Sequence, residues 1–156
     1  AMSLPRSLAT LTAEEFTLQM GVNTTAALLT AQAFRRLRDP ARPGAITNVS
    51  SIAAAHAVPN GAAYSSSKAA LSNLLNPGLI LTPLSAAFYA DPDDRAAREA
   101  VVPARRIGQP SDIADAALFL SSARAAYVSG ADLVVDGAFT QTLMTHIPRK
   151  RAPAAG

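Results

Sequence analysis

The sequence predicts a layered α/β domain built on a parallel sheet. Two short segments rich in β-branched residues, "GAITNVSS" at 44–51 and "GADLVVDGA" at 130–138, predict buried strands. Longer segments with helical periodicity lie before the first of these strands and between the two. Strands that alternate with helices are typical of a parallel sheet covered by helices.

The first predicted helix begins after Thr12. Thr12 and Glu15 have the spacing of a capping box, and the segment "DPARPG" at 39–44 should end the helix near Arg38. Inside it, "GVNTT" at 21–25 has poor helix propensity, so we expect an irregular turn around Asn23.

Two further helices and a tail follow. "AAYSSSKAALSNLL" predicts a helix over 62–75. "QPSDIADAALFLSS" predicts another, with Ser111 as its cap and Leu118 facing inward. The end of the chain, 141–156, offers little to bury and should be a flexible tail, which leaves one domain over 1–140.

Composition excludes several classes of function. The 156 residues include no cysteine and two distant histidines, so we expect no metal site. No apolar stretch approaches the roughly 20 residues of a membrane span, and no export signal opens the chain, so we expect a cytoplasmic protein without membrane contact. The basic runs lack interleaved aromatic residues, which argues against nucleic-acid binding.

Tyr64 and Lys68 are candidates for acid-base chemistry because four residues on a helix place them on one face. A free tyrosine has a pKa of ~10, and lowering it by three units needs about 4 kcal/mol of preference for the phenolate. An ammonium ~4 Å away at an effective dielectric of 20 contributes about that much. The alternative is a half-buried tyrosine beside a solvated lysine.

Ser51 and Asn23 extend this pair. Ser51 ends a predicted strand at the sheet edge where parallel α/β proteins bind ligands, so its hydroxyl could hold a carbonyl oxygen. Asn23 could hold a water behind Lys68. The alternatives are a strand-end hydroxyl that satisfies the backbone and a plain helix irregularity. His56 is interpreted as an exposed loop residue.

Six segments follow one another in order along the chain: "VN" at 22–23, "NVSS" at 48–51, "YSSSK" at 64–68, "NPGLILTP" at 76–83, "RIGQPSDIADAALFLSS" at 106–122 and "YVSGADLVVDGA" at 127–138. Taken in this order, they resemble the short-chain dehydrogenase/reductase family over residues ~12–140. The resemblance implies a Rossmann-like doubly wound parallel sheet with flanking helices. It also implies an NAD(P)-dependent oxidoreductase that interconverts a secondary alcohol and a ketone as a homodimer or homotetramer.

The resemblance assigns roles to individual residues. It implies Tyr64 as the catalytic acid/base, Ser51 as the hydroxyl that orients the carbonyl, and Asn23 as a proton relay. It implies that NAD or NADP is held by Lys68 at the nicotinamide ribose, next to Tyr64, and that the nicotinamide is lined by Pro77, Gly78, Ile80 and Thr82. The substrate would be a small carbonyl or alcohol compound.

The chain departs from the family pattern in three places. Residues 1–11 contain no glycine, so the glycine-rich phosphate turn that opens the family fold is not in this sequence, and we interpret the fold as N-terminally truncated. The strand expected between Leu75 and Asn76 is not apparent, so either the sequence joins segments that are not adjacent in the natural protein or this is a true internal deletion. Under a true deletion the helix must end soon after Lys68, or the loop over 77–82 would lie far from Tyr64. Ala138 stands where a second glycine is usual. A non-catalytic family remnant that associates through its two long helices is therefore the alternative function.

Overall fold

Three parallel strands form the sheet in the computed structural model, which describes residues 1–56, 58–71 and 74–142. β1 is Asn48–Val49, β2 is Leu74–Pro77 and β3 is Leu133–Val135, in the order β1-β2-β3. Val49 pairs with Leu75, and Leu75 pairs with Leu133. Leu75 on the central strand is fully buried, so the core lies around β2. The predicted α/β class with a parallel sheet is confirmed.

The two strands predicted from β-branched residues are shorter and less buried than expected. β1 occupies two residues of 44–51, and β3 occupies three residues of 130–138. Val49 is 48% exposed and Val134 is 44% exposed, so the prediction of buried strands is wrong for both. Within the described part of the chain, β2 alone has a strand on each side, and this explains why burial is concentrated there.

The first helix begins and ends close to its predicted bounds. α1 is Ala13–Met20, a π-helical turn follows over Gly21–Thr25, and α2 is Ala26–Leu37. Thr12 and Glu15 form the predicted capping box, with 3.2 Å from the Glu15 amide to the Thr12 hydroxyl. The π turn confirms the predicted irregularity around Asn23.

The helix that carries Tyr64 is shorter than predicted. α3 is Ala62–Ala69, and β2 begins at Leu74, so the predicted end of the helix at residue 75 is wrong, whereas the end soon after Lys68 that a true deletion requires is confirmed. The returning strand, which did not stand out in the sequence, is formed by Leu74–Pro77 itself. Periodicity alone does not separate a short apolar strand from a buried helix segment, and here Leu74 and Leu75 lie in the sheet.

Two more helices lie between β2 and β3. α4 is Pro92–Val101 and α5 is Pro110–Leu120. Ser111 is not the cap of α5, because Pro110 already occupies the first turn and Gln109 and Asp112 form a capping box. Leu118 is 69% exposed, so its predicted inward orientation is also wrong.

Two remaining predictions concern the tail and the membrane. The structure describes residues 141 and 142 of the predicted tail 141–156, and the rest of the tail lies outside the described residues. Across the described ranges, none of the helices combines the length and the apolar character needed to cross a lipid bilayer.

Candidate active site

α3 presents Tyr64 and Lys68 one helical turn apart, beside β1. The Lys68 ammonium lies 5.9 Å from the centroid of the Tyr64 ring. It also donates a hydrogen bond of 3.0 Å to the backbone carbonyl of Val49, on β1. The helix is therefore tied to the strand through the lysine side chain.

Lys68 is buried as a cation. Its exposed fraction is 4%, and burial lowers the pKa of the ammonium from its ordinary value of 10.5. No carboxylate forms an ion pair with it among the described residues. The alternative of a solvated lysine is therefore wrong for this chain.

Asn23 faces α3 from the π turn, and both hydrogens of its side-chain amide are engaged. Its Nδ2 donates to the Met2 carbonyl at 2.8 Å and to the Ser67 hydroxyl at 2.9 Å, while its Oδ1 accepts from the Met2 amide at 2.7 Å. Both amide hydrogens are used, so Oδ1 retains the remaining hydrogen-bonding capacity. Asn23 reaches Tyr64 through Ser67, whose hydroxyl donates to the Tyr64 carbonyl at 2.8 Å.

Ser51 follows β1 and caps a short 3-10 turn over Ile52–Ala54. Its hydroxyl oxygen accepts from the Ala53 amide at 3.1 Å, which leaves the hydroxyl hydrogen available to a carbonyl oxygen. Ser51 borders a cavity of about 190 Å³ whose polar lining includes His56, Asn76, Asp132 and Thr140. Tyr64 is not among the described residues of that lining, so the cavity does not join the two predicted catalytic hydroxyls.

The loop after β2 lies at the same edge of the sheet as Ser51, because both follow the carboxyl ends of parallel strands. A Cβ atom on Gly78 would lie 2.5 Å from the Cβ of Asp136, so this close approach requires glycine. Ile80 pairs with Gly108 in an isolated parallel bridge. In the described part of the chain, no hydrogen bond joins this loop to Tyr64 or Lys68.

The hydrogen bonds of Ser85 determine whether the Thr82 hydroxyl donates or accepts. The Ser85 hydroxyl donates to the Ile80 carbonyl at 2.6 Å and accepts from the Thr82 amide at 2.9 Å. Since a hydroxyl has one hydrogen, the Thr82 hydroxyl donates in its 3.1 Å contact with Ser85. Thr82 therefore presents lone pairs, which suit the N–H groups of a carboxamide.

The donor set of α3 fits the ribose of a nicotinamide nucleotide. An ammonium has three hydrogens, and Lys68 gives one to Val49, so two remain for ribose hydroxyls. Lys68 and Asn23 also border a groove of about 410 Å³ between α2 and β1, with an otherwise mostly apolar lining. Tyr64 is not among the described residues that line this groove, so the groove reaches the lysine but not the pair.

Comparison with known proteins identifies the family of the chain. A family model described as "Enoyl-(Acyl carrier protein) reductase" matches residues 1–76 and 72–140. The chain belongs to the short-chain dehydrogenase/reductase family. The two matched segments overlap at 72–76, and the departure from the family pattern expected between Leu75 and Asn76 lies within this overlap.

Curated short-chain dehydrogenases resemble the chain over part of their length. It is 37% identical over 119 residues to 3beta-hydroxysteroid dehydrogenase 1 of Eggerthella lenta, which covers 65% of this chain and 46% of that protein. It is 30% identical over 149 residues to L-xylulose reductase of Bos taurus, with 84% and 61% covered. The chain thus spans about half the length of the curated relatives it matches.

Solved structures of the family have the same fold. A gluconate 5-dehydrogenase from Burkholderia cenocepacia J2315, in complex with NADP and tartrate, superposes with a TM-score of 0.81 at 28% identity, covering 90% of this chain and 62% of that one. A 4-hydroxyisoleucine dehydrogenase complexed with NADH superposes with a TM-score of 0.82 at 24% identity, covering 90% and 65%. The predicted Rossmann-like fold is confirmed.

Sequence reasoning missed the residues that support α3. Ser67 lies within the quoted segment "YSSSK", and its position three residues after Tyr64 could have placed it on the same helical face. Ser50 and Thr24 also bond the end of α3, and Asn76 carries a buried amide oxygen without a hydrogen-bond partner among the described residues. Nothing in the sequence distinguishes these polar residues from exposed ones.

Proposed function

We propose that the protein containing this chain is an NAD(P)-dependent oxidoreductase that interconverts a secondary alcohol and a ketone. The observation that carries the proposal is the Lys68 ammonium, which is buried beside the Tyr64 ring and forms no ion pair with any carboxylate of the described residues. Burying an unpaired cation costs folding free energy, and such groups cluster at functional sites. Because the ammonium lies next to the phenol of Tyr64, the lysine can assist proton transfer by that phenol.

In this proposal Tyr64 is the acid/base. The ammonium of Lys68 stabilises the phenolate electrostatically, so Tyr64 can give a proton to the carbonyl oxygen during reduction and take it back during oxidation. The Ser51 hydroxyl hydrogen, which no described residue uses, would hold the same oxygen. A nicotinamide cofactor, when bound, supplies or accepts the hydride.

Asn23 and the loop after β2 have supporting roles in the proposal. The relay assigned to Asn23 would have to pass through Oδ1, since both amide hydrogens are engaged. Pro77, Gly78 and Ile80 would line the nicotinamide, and the lone pairs of Thr82 would accept from its carboxamide.

The relatives support a nicotinamide cofactor and a small substrate. One is named L-rhamnose 1-dehydrogenase (NAD(P)(+)), from Azotobacter vinelandii, and the gluconate 5-dehydrogenase was solved with NADP. We infer NAD or NADP for this chain, with a small carbonyl or alcohol compound as substrate. The names of the relatives also favour catalysis over a non-catalytic remnant.

The exposed leucines of the first helix support self-association. Leu28 and Leu29 on α2 are each 57% exposed, and Leu18 on α1 is 50% exposed. We infer a homodimer or homotetramer that buries these side chains, because adjacent exposed leucines favour an interface.

A fluorescence titration of the 156-residue chain with NADH and with NADPH tests the proposal. We expect saturable binding in the micromolar range that Lys68→Ala weakens about tenfold, equivalent to losing about 1.4 kcal/mol of binding. Lys150→Ala, which changes the other lysine of the sequence, is the charge-matched control. Absence of binding up to millimolar nucleotide would favour the non-catalytic alternative.

Turnover tests the role of Tyr64. If the chain oxidises NADH or NADPH with a ketone, Tyr64→Phe should lower kcat by a factor on the order of 10² to 10⁴, the usual contribution of a positioned acid. Tyr127→Phe is the matched control because Tyr127 is fully exposed. Equal loss in both variants would contradict the assignment.

A further inference from the structure

α3 is too short to be stable as a helix without contacts to the rest of the protein. It has eight residues, about two turns, and isolated helices shorter than ~12 residues are marginal in water. Its last carbonyls also need hydrogen-bond partners from outside the helix. Since α3 carries Tyr64 and Lys68, whatever fixes its end also fixes their separation.

Two hydroxyl groups from other elements bind the end of α3. Thr24, in the π turn, donates from its hydroxyl to the Ser67 carbonyl at 2.8 Å. Ser50, directly after β1, donates from its hydroxyl to the Lys68 carbonyl at 3.1 Å. The last turn of the helix is therefore fastened to the π turn on one side and to the sheet on the other.

Ser67 joins these contacts to Tyr64. Its side chain is fully buried, and its hydroxyl lies 2.8 Å from the Tyr64 carbonyl, to which it donates its single hydrogen. The 2.9 Å contact with Asn23 must then run from the amide Nδ2 to the serine oxygen. This direction also fixes the orientation of the Asn23 amide, so that Oδ1 faces the Met2 amide.

We propose that Ser67 is a positioning residue, whose hydroxyl locks the last turn of α3 against the π turn and thereby sets the placement of Lys68 against Tyr64. The inference rests on the proposed function, since it concerns the same pair. Ser66, its neighbour on the helix, is exposed, and no described side-chain hydrogen bond involves it. Of these two serines, only Ser67 is placed to make the contact with Asn23.

Because the sequence contains only two lysines, NMR can follow the titration of Lys68 by itself. Lysine labelled with ¹³C at the ε position gives two NMR signals, and Lys68→Met identifies the one from Lys68. In the parent chain this signal should titrate below the ordinary lysine range because burial lowers the pKa of Lys68. In Ser67→Ala we expect the titration to move upward toward 10.5, as the loosened turn admits water. Ser66→Ala should leave it unchanged.

Backbone hydrogen exchange gives a second readout. Over residues 64–68, exchange in Ser67→Ala should be about fivefold to tenfold faster, the equilibrium effect of losing one buried hydrogen bond. Where turnover is measurable, Ser67→Ala should lower kcat while the KM for the ketone changes by less than about twofold, because the loss acts on the transition state.

An unchanged Lys68 titration together with unchanged exchange in folded Ser67→Ala would overturn the proposal. Should Ser67→Ala fail to fold, Ser67→Cys, which fills the same space but makes much weaker hydrogen bonds to Asn23 and to the Tyr64 carbonyl, decides by the same two readouts. The readouts need no cofactor, so failure of the positioning role is distinguishable from failure of nucleotide binding.

Discussion

Ala138 adopts a backbone conformation that glycine tolerates better. Its φ is +67°, in the left-handed region, directly after Gly137 at +62°. An L-residue there is strained by roughly 1–2 kcal/mol. Ala138→Gly should therefore raise the free energy of unfolding by about 0.5–1 kcal/mol, after the added entropy of the unfolded chain is subtracted. Urea denaturation measures this.

The control for Ala138→Gly is Ala96→Gly, on the exposed side of α4. Glycine inside a helix costs about 1 kcal/mol relative to alanine, so this variant should be destabilised. Loss of stability in both variants would contradict the claim of strain at Ala138.

Lys68 lowers the stability of the fold at neutral pH. Its folded-state pKa lies below the ordinary 10.5, so below the folded pKa the folded chain holds a buried ammonium that the unfolded chain keeps in water. The parent chain should become more stable as pH rises from the folded pKa toward 10.5. Lys68→Met should be about 1 kcal/mol more stable at pH 7 and should lack this rise.

Urea denaturation at pH 7 and at pH 10 compares the two chains, with Lys150→Met as the variant of equal net charge. A Lys68→Met chain that is less stable at pH 7 would show that the Val49 hydrogen bond outweighs the desolvation of the ammonium. An alkaline rise that persists in Lys68→Met would show that the rise does not come from Lys68.

At the scale of elements, the start of α5 depends on Asp112. Its carboxylate accepts from Arg106 at 2.7 and 2.8 Å and from the Gln109 amide at 2.7 Å. The Arg106 hydrogen bonds and the Gln109 amide lower the pKa of Asp112 from 3.8 to about 2. A lowered carboxyl pKa stabilises the fold above pH 3.8, and this contribution is lost as pH falls toward 2.

Asp112→Asn should consequently lower the melting temperature at pH 7, and the difference from the parent chain should shrink steadily between pH 4 and pH 2. Thermal unfolding followed by circular dichroism measures it. Asp115→Asn, on the same helix, is the control. A pH-independent difference would point to a packing effect at position 112.

The elements also show what the sequence could predict. The capping box at Thr12 and the irregular turn at Asn23 were predictable because both depend on local residue preferences. The end of α3 did not follow from helical periodicity, because Leu74 and Leu75 join the sheet through pairing with β1 and β3, which are distant in sequence. The Tyr64–Lys68 pair follows from helical spacing, whereas its support by Ser67 and Thr24 depends on tertiary contacts.

At the scale of the molecule, self-association should follow from the exposed leucines of α2. Leu28→Glu should convert a dimer or tetramer into a monomer, because a buried carboxylate at an apolar interface is unfavourable. Light scattering after size exclusion measures the mass. Leu8→Glu is the control, since Leu8 is 81% exposed outside the helix. A monomeric parent chain would contradict the inference.

Because α3 ends early, few residues connect Lys68 to β2, and this limits how the length of that connection can change. β1, α3 and β2 together occupy residues 48–77, near the smallest size at which a helix can connect two parallel strands. Lys68 is bonded to β1, and six residues later the chain is already paired in β2. Fewer residues between Lys68 and Leu74 should weaken either the lysine contact or the strand register, whereas additional residues should leave both intact. Natural or engineered length variation is therefore expected to add residues there.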